Sequence, residues 1–198
     1  RATLREAMRT FETQGLIRRK QGVGTFVIGE VPVIESGLEV LESIETLAGR
    51  IGLSVSTHSL KIEQISADAE YALTLGIPIE SGLTRVSRLI LTDERPAAYL
   101  VDTLPGNILS QQDIDAGFTG SVLDLLLKRG SPRLVSSRTE INAVGATPEV
   151  AHLLEIQRGD VLINFSACLY SSEGQVIDHS LSYFLPGYFK FHVNRRVG

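Results

Sequence analysis

Two long stretches of alternating apolar and polar residues decide the fold: LTRVSRLILTDERPAAYLVDTLP at residues 83–105 and DVLINFSACLYSSEGQVIDHSLSYFLP at residues 160–186. Each reads as two β-strands around a short polar turn, TDERP in the first stretch and SEGQ in the second. Both stretches end on Leu-Pro. Each therefore predicts an antiparallel hairpin.

The same elements precede both hairpins, which gives the body of the chain two similar halves. A strand and a short helix come first in each half, LSVSTHSLKIEQI with ADAEYALTLG and then RLVSSRTEINAVG with TPEVAHLLE. Ala72 and Ala151 lie 79 residues apart, and the two Leu-Pro pairs lie 81 residues apart. This near-constant separation predicts a duplicated unit. We therefore expect an α+β fold, an antiparallel sheet with flanking helices, whose seam offers a ligand cleft and whose last strand, YFKFHV, closes the second half.

Two further helices are predicted outside the repeated elements. SGLEVLESIETLAGRIG at residues 36–52 has apolar residues three or four apart, which predicts a core-facing helix with Ser36 as its N-cap and Gly52 as its end. SVLDLLLKRG predicts another helix, which begins at Ser121.

The N-terminal segment predicts a helix followed by a basic hairpin. Residues 3–14 form the helix, and Gly15 ends it. Four apolar side chains share one stripe of this helix: Leu4, Ala7, Met8 and Phe11. LIRR and TFVI then read as two short strands around a glycine-containing turn. The Gly, Pro and Ser of GEVPVIESG predict a linker at residues 29–37, which divides a head, residues 1–28, from a body, residues 38–198.

Charge is unevenly distributed along the 198 residues, whose formal net charge is −4. Residues 1–30 carry six basic and three acidic side chains, whereas the remaining residues carry 13 basic and 20 acidic ones. An acidic body is repelled by polyphosphate, so any nucleic-acid contact must come from the basic head. The apolar fraction of 43% without a long uncharged apolar run predicts a globular protein that does not span a membrane. The lack of an export signal and the single cysteine, Cys168, predict a cytoplasmic protein.

The string TLREAMRTFETQGLIRRKQGVGTFV at residues 3–27 closely resembles the second half of the winged helix-turn-helix in GntR-family bacterial transcription regulators. In that family the helix is the recognition helix and the hairpin is the wing. The resemblance implies base or phosphate contacts from three residues: Arg1, Thr3 and Arg5. It implies contacts with the DNA backbone from five more: Arg19, Lys20, Gln21, Gly22 and Gly24. Arginine can grip guanine or neutralise phosphate, and glycine permits close backbone approach, so the residue types suit these roles.

The family has two helices ahead of the recognition helix, and this sequence starts at Arg1 without them. Those helices support the recognition helix and hold its reading face rigid. We therefore expect the 198 residues to be a fragment of a longer protein, and we expect the fragment alone to bind DNA weakly or not at all.

Residues 53–193 resemble the UTRA effector-binding domain of the HutC-type branch of the same family, a domain that shares its fold with chorismate lyase. The strings LTDERPAAYLVDTLP and SSEGQVIDHSLSYFLPGYFKFHV carry the match. The resemblance implies a homodimeric repressor or activator that changes its affinity for operator DNA when a small-molecule effector fills its cleft. The alternative is a chorismate lyase-like enzyme acting on a small carboxylate, although the sequence offers no convincing acid and nucleophile set.

The resemblance also implies three residues of an effector site, Arg88, Ser121 and Asp178, and the strand face shared with Asp178 adds Ser180. Relatives that bind sugar phosphates hold the anion with two arginines and a serine at a helix start. The second arginine position is Ile90 here, so we expect a carboxylate, or a phosphoryl group held by fewer charges, at Arg88 and the start of the Ser121 helix. Asp178 and Ser180 share a strand face and would meet the polar end of the effector.

Simpler interpretations stay open for the same residues. Arg88 is then a solvated surface residue or the partner of Asp102 across the hairpin, and Ser121 is only an N-cap. Asp178 and His179 are adjacent on a strand, so their side chains should point to opposite faces and form no dyad. The four histidines lack the spacing of metal ligands, so we predict neither a metal nor a cofactor.

Overall fold

The computed structural model describes five segments of the chain, residues 2–13, 16–20, 24–27, 33–116 and 118–197. They form an α+β fold whose centre is a six-stranded antiparallel sheet, which confirms the predicted fold class. No helix in these segments is long and apolar enough to cross a membrane.

The head contains the predicted helix and hairpin. Helix α1 (Ala2–Thr13) is followed by β1 (Ile17–Lys20) and β2 (Gly24–Val27), which pair antiparallel. The N–H of Leu16 donates to the carbonyl of Phe11 at 2.9 Å. This hydrogen bond closes the end of the helix and turns the chain towards β1.

A short strand ties the segment after the head to the end of the chain. β3 (Ile34–Gly37) pairs in parallel with β10 (Phe189–His192). Two predictions are corrected by this pairing. β10 does not close the second half, because it lies in a separate two-stranded sheet with β3. The predicted linker at residues 29–37 ends in a strand, because β10 binds the backbone of its last four residues.

The helix predicted over residues 36–52 is wrong in its first half. α2 covers only Ile44–Arg50, and its N-cap is Ser43 instead of Ser36. The Ser43 hydroxyl accepts a hydrogen bond from the N–H of Thr46 at 3.1 Å and so satisfies a backbone donor at the start of the helix. Two apolar residues of the missing half are exposed: Leu38 and Leu41.

Six long strands make up the central sheet: β4 (Val55–Ser66), β5 (Gly82–Thr92), β6 (Arg95–Pro105), β7 (Leu134–Gly145), β8 (Val161–Ser171) and β9 (Val176–Phe184). Their order across the sheet is β4-β5-β6-β9-β8-β7, and every neighbouring pair is antiparallel. The two predicted hairpins, β5–β6 and β8–β9, therefore meet through β6 and β9. This junction is the predicted seam between the two halves, and β4 and β7 form the edges.

Short helices cover the sheet. α3 (Ala69–Leu75) follows β4 in the first half, and α6 (Pro148–Leu153) follows β7 in the second. α3 contacts β9 and α6 contacts β6, so each helix reaches the central strand of the other half. The connection between the halves contains α4 (Gln111–Asp115) and α5 (Val122–Arg129).

Apolar side chains fix α5 against the sheet. Val122 and Leu126 of α5 are buried in one cluster with Val86 of β5 and Leu104 of β6. Burial of side chains of this size stabilises the fold by about 1.5 to 3 kcal/mol each. The packing therefore holds the start of α5 at a defined place on this face of the sheet.

Candidate effector site

Three charged side chains are buried together on one face of the sheet: Arg88 of β5, Asp102 of β6 and Asp178 of β9. Their exposed fractions are 6%, 8% and 5%. Asp102 lies opposite Val86 on one side and opposite Ser180 on the other, and alternate residues of a strand share a face. Because β6 and β9 meet at the seam, both halves of the body contribute to this cluster.

Arg88 forms a buried ion pair with Asp102, in which Nη1 donates to Oδ2. The interpretation of Arg88 as a solvated residue is therefore wrong, and its pairing with Asp102 across the hairpin is confirmed. The Nε–H of Arg88 is also buried, and it has no hydrogen-bond partner among the described residues. A buried donor without a partner is costly, so an acceptor atom of a ligand would be favoured there.

Asp178 completes the cluster as a second carboxyl group. Its Oδ1 accepts a hydrogen bond from the N–H of Thr103 at 3.1 Å, and it shares a face of the sheet with Asp102. Burial raises the pKa of Asp178 well above its usual value, the Asp102 carboxyl raises it further, and Arg88 and the Thr103 N–H oppose this rise. The protonated form of Asp178 is therefore favoured relative to that of a solvent-exposed aspartate, and Arg88 is the cation that opposes this.

The loop before α5 lies directly on the side chain of Arg88. Gly120 has a φ of +103°, and a Cβ atom there would lie 3.0 Å from Cδ of Arg88 and 3.2 Å from Cγ2 of Thr57. Glycine fits both the backbone conformation and the close approach. The next residue, Ser121, is buried and caps α5 by accepting a hydrogen bond from the N–H of Asp124 at 3.3 Å. The start of α5 thus follows the glycine that covers Arg88.

The structure places the four predicted effector residues around one region of the sheet. Arg88, Asp178 and the half-buried Ser180 share a face, and Ser121 begins the helix that packs there. Sequence reasoning did not include Asp102 in the site, although its register in the hairpin had suggested it as a partner of Arg88. It also missed Gly120, whose role depends on how the loop packs.

The opposite face of the same strands carries an open pocket of about 510 Å³, lined by α3, β7, β8 and β9. His179 points into this pocket while its neighbour Asp178 faces Arg88, as strand alternation predicts. His179 Nε2 lies 3.3 Å from the hydroxyl of Ser166, and burial lowers the pKa of His179. The pocket also contains Arg138 and Glu140, an ion pair at the solvent surface. The buried cation that would hold an anion most firmly is on the other face.

The structure describes only some of the residues that were predicted to contact DNA. Three lie outside the described residues: Arg1, Gln21 and Gly22. Three have their backbone in α1 or β1: Arg5, Arg19 and Lys20. Thr3 is exposed on α1, and Gly24 opens β2 with a φ of +140° that favours glycine. On the apolar stripe of α1, Leu4 is 68% exposed and Phe11 is 44% exposed.

Comparisons with known proteins agree with this architecture. A family model for the UTRA domain matches residues 50–190. The chain is 25% identical over 191 residues to the HTH-type transcriptional repressor NagR of Bacillus subtilis (strain 168), covering 96% of this chain and 77% of that protein. It is 26% identical over 162 residues to the histidine utilization repressor of Pseudomonas putida, covering 81% of this chain and 63% of that protein. The structure of PhnF from Mycobacterium smegmatis has the same fold, with a TM-score of 0.76, 18% identity, and coverage of 100% of this chain and 85% of that chain.

The fold, with a head of helix and hairpin before a sheet of two similar halves, and the named relatives, which are transcriptional repressors, agree on one class: a transcription regulator with a UTRA domain. The named relatives are transcriptional repressors, which argues against the chorismate lyase-like alternative. More particularly, the chain belongs to the UTRA domain family.

Proposed function

We propose that this regulator binds operator DNA through its winged helix and a small anionic effector through the cluster around Arg88, and that it acts as a homodimer. The division into a DNA-binding head at residues 1–28, a connecting segment at 29–37 and an effector-binding body at 38–198 is part of the same proposal. The observation that carries it is the buried guanidinium group of Arg88, which keeps one N–H without a partner among the described residues.

The two ends of the site suit a ligand with an anion at one end and polar groups at the other. Arg88 and the start of α5 provide positive potential for a carboxylate or phosphoryl group. Asp178 and Ser180 on β9 provide a carboxyl group and a hydroxyl group for an amine or a hydroxyl of the ligand. Because β5 belongs to the first half and β9 to the second, such a ligand would bridge the seam.

A route from the site to the head follows the strands. β9 carries Asp178 and Ser180, and Leu185 and Pro186 connect β9 to β10. β10 pairs with β3, which leads back towards the head. A ligand that favours one arrangement of the two halves would shift β10 and β3 with them, provided that its affinity for the two arrangements differs.

Homodimerisation is proposed for the body, because operators read by winged helices of this kind have two half-sites and the protein symmetry must match them. β7 is an edge strand of the sheet, and it exposes the apolar side chains of Val135 and Ile141. Sedimentation equilibrium at tens of micromolar protein should give a dimer. A mass of 21.6 kDa, that of one chain, would contradict dimerisation.

DNA binding is proposed for a longer chain that adds the two helices before α1. Leu4 and Phe11, which are exposed on α1, would pack against those helices. In that longer chain Arg5→Ala should weaken operator binding and lower its salt dependence by about one counterion. Operator affinity equal to that of the parent would remove Arg5 from the interface, and tight specific binding by the 198-residue chain would contradict the need for the added helices.

The effector site is tested first by native mass spectrometry of protein from its source cells, which identifies a co-purified small molecule. Calorimetry with that molecule should then show a loss of about 1.5 to 3 kcal/mol of binding free energy for Arg88→Ala, because a charge-assisted hydrogen bond is lost. Arg88→Lys keeps the charge and should lose less. Arg138→Ala, an exposed arginine on the other face, is the matched control and should bind as the parent does. Unchanged affinity in a folded Arg88→Ala variant would place the anion elsewhere.

A further inference from the structure

We propose that Asp102 is a competitor built into the effector site: its carboxylate holds Arg88 in the unliganded protein, the anion of the effector takes its place, and the carboxyl pair of Asp102 and Asp178 gains one proton in exchange. This inference rests on the proposed anion site at Arg88. It adds a residue that sets which ligands can bind, and it makes effector binding dependent on pH.

The charge balance of the unliganded cluster requires a shared proton. Arg88 contributes one positive charge, and its Nη1 already donates to Asp102. Asp178 is 5% exposed, and it lies on the same face of the sheet as Asp102. Two buried carboxylates beside a single guanidinium ion would leave an uncompensated charge, which burial strongly disfavours, so the pair holds one proton. The unliganded cluster is therefore neutral: one guanidinium ion, one carboxylate and one carboxylic acid.

An incoming anion cannot use Arg88 fully without disturbing this balance. The Nε–H is available, but a carboxylate or phosphoryl group bound by two parallel hydrogen bonds needs a second N–H of the same guanidinium group. The Nη1 group could supply this second N–H, but it already donates to Asp102, so the anion and Asp102 compete for it. Once the anion takes it, Asp102 is a buried carboxylate with no cation, next to another carboxyl group. Such a carboxylate is strongly disfavoured, so it takes up a proton from the solvent.

Among the described residues, the groups around Asp102 and Asp178 include no second cation that could replace Arg88. Gly120 lies against the arginine stem, and the other side chains next to Gly120 are Thr57 and Leu60, none of which ionises. The first turn of α5 carries Asp124, which is another acid. Cys168 of β8, whose thiol pKa is raised by burial, lies on the opposite face with His179. Among the described residues, Arg88 is thus the cation that acts on Asp178.

Electroneutrality then fixes the stoichiometry. The anion adds one negative charge and the proton adds one positive charge, so the cluster stays neutral before and after binding. Binding of one anion together with one proton means that the apparent affinity falls about tenfold for each pH unit of increase. An anion that entered without displacing Asp102 would show no such dependence.

The experiment uses acetate and methanesulfonate as probes, because both are monoanions that stay ionised between about pH 6 and about pH 8 and represent the carboxylate and the tetrahedral oxyanion chemistries of the proposed site. NMR spectra of the 198-residue protein follow the Arg88 Nε–H and the backbone N–H groups of Gly120 and Ser121 during each titration. A pH-stat records the protons taken up in unbuffered solution. We expect shifts at these three residues, an apparent affinity about tenfold weaker per pH unit, and one proton taken up per anion bound.

A double variant, Asp102→Asn with Asp178→Asn, removes both carboxyl groups and keeps similar shapes. It should bind the probes more tightly than the parent and with no pH dependence. Asp113→Asn on α4 is the matched control and should keep the parental behaviour. If the double variant does not fold, the proton count of the parent protein decides the question.

The outcomes separate this proposal from the one on which it rests. Shifts at Arg88 with no proton uptake and a constant affinity across the pH range would overturn the role of Asp102 and leave the anion site in place. No shift at Arg88, Gly120 or Ser121 with either probe would overturn the anion site, and the competition by Asp102 with it.

Discussion

The two faces of the central sheet treat ionisable side chains in opposite ways, and adjacent residues of β9 show the contrast. Asp178 faces a closed cluster in which Arg88, Asp102 and the backbone of Thr103 supply its partners. His179 faces an open pocket, where its Nε2 meets one hydroxyl group and where Arg138 and Glu140 pair in solvent. Two adjacent residues of one strand therefore lie in different environments, Asp178 in a buried charged cluster and His179 in a solvent-exposed pocket.

A charged ligand gains more binding energy on the buried face of the sheet than on the exposed one. A surface ion pair contributes little, because water already solvates both partners, whereas a buried guanidinium group has few alternatives to its partner. The size of a pocket is thus a poor guide to the effector site in this molecule, because the open pocket lies on the solvent-exposed face of His179. We therefore expect substitutions on the Arg88 face to have large effects on stability and substitutions on the His179 face to have small ones.

The largest effect is expected from breaking the buried pair. Arg88→Met leaves Asp102 buried without a cation and should lower the free energy of unfolding by about 3 to 5 kcal/mol near neutral pH. The double variant Arg88→Met with Asp102→Leu removes both charges and should recover most of this loss, because an apolar pair of similar size replaces them. Urea denaturation measures both values. A loss below about 1 kcal/mol for the single variant would show that water reaches this face as it reaches the other.

The next effect is the pH dependence that Asp178 brings to stability. Burial and Asp102 raise the pKa of Asp178 in the folded protein, so the folded protein holds a proton that the unfolded chain releases. The stabilising contribution is fully present below the unfolded pKa of about 3.9 and is lost as the pH rises towards the folded pKa. In this window the parent should lose about 1.4 kcal/mol per pH unit relative to Asp178→Asn. Parallel curves for the two proteins would mean that Asp178 is ionised in the fold.

Local patterns were enough to predict most of the sheet. Alternating residues define β5, β6, β8 and β9, and the spacing of the two Leu-Pro pairs reveals the two halves. The prediction of a helix over residues 36–52 was wrong in its first half. Apolar spacing alone does not show that a distant strand pairs with the first residues of the segment. β10, more than 150 residues further along the chain, pairs with residues 34–37 and keeps them extended. Tertiary pairing overrides local propensity there.

The part of the candidate site that depends on local pairing could also be predicted from the sequence, whereas the part that depends on distant segments could not. The turn of the first hairpin fixes the register that brings Asp102 near Arg88, so this pair follows from the sequence of one hairpin. The burial of the pair and the contact with Asp178 depend on β6 pairing with β9 and on α5 covering the face, and both are contacts between distant segments. Gly120 has the same origin, since a glycine in a loop carries no sign of the side chain that it must clear.

A smaller contribution to stability, with the opposite pH dependence, is expected from His179 on the face that carries the open pocket. His179→Gln should cost about 1 kcal/mol of stability above about pH 6.5, because the contact with Ser166 is weakened. Burial lowers the pKa of His179 in the folded protein, so its contribution is present above the unfolded pKa of about 6.5 and is lost as the pH falls towards the folded pKa. The difference between parent and variant should therefore shrink on acidification, whereas the Asp178 contribution grows. A difference that stays constant down to about pH 5 would remove His179 as a titrating group in this range.

The smallest effect is expected for the ion pair of Arg138 and Glu140, whose nitrogen and oxygen atoms lie 3.3 Å apart with side chains 76% and 64% exposed. Water solvates both groups, and salt screens their attraction, so Arg138→Ala and Glu140→Ala should each change stability by less than about 0.5 kcal/mol. A double-mutant cycle in urea isolates their interaction, which should be near zero at low salt and no larger at high salt. The pair has the same two charges as Arg88 and Asp102, so the cycle compares the faces directly. An interaction above about 1 kcal/mol would mean that the pocket face is drier than its exposure indicates, and the contrast between the two faces would then lose its physical basis.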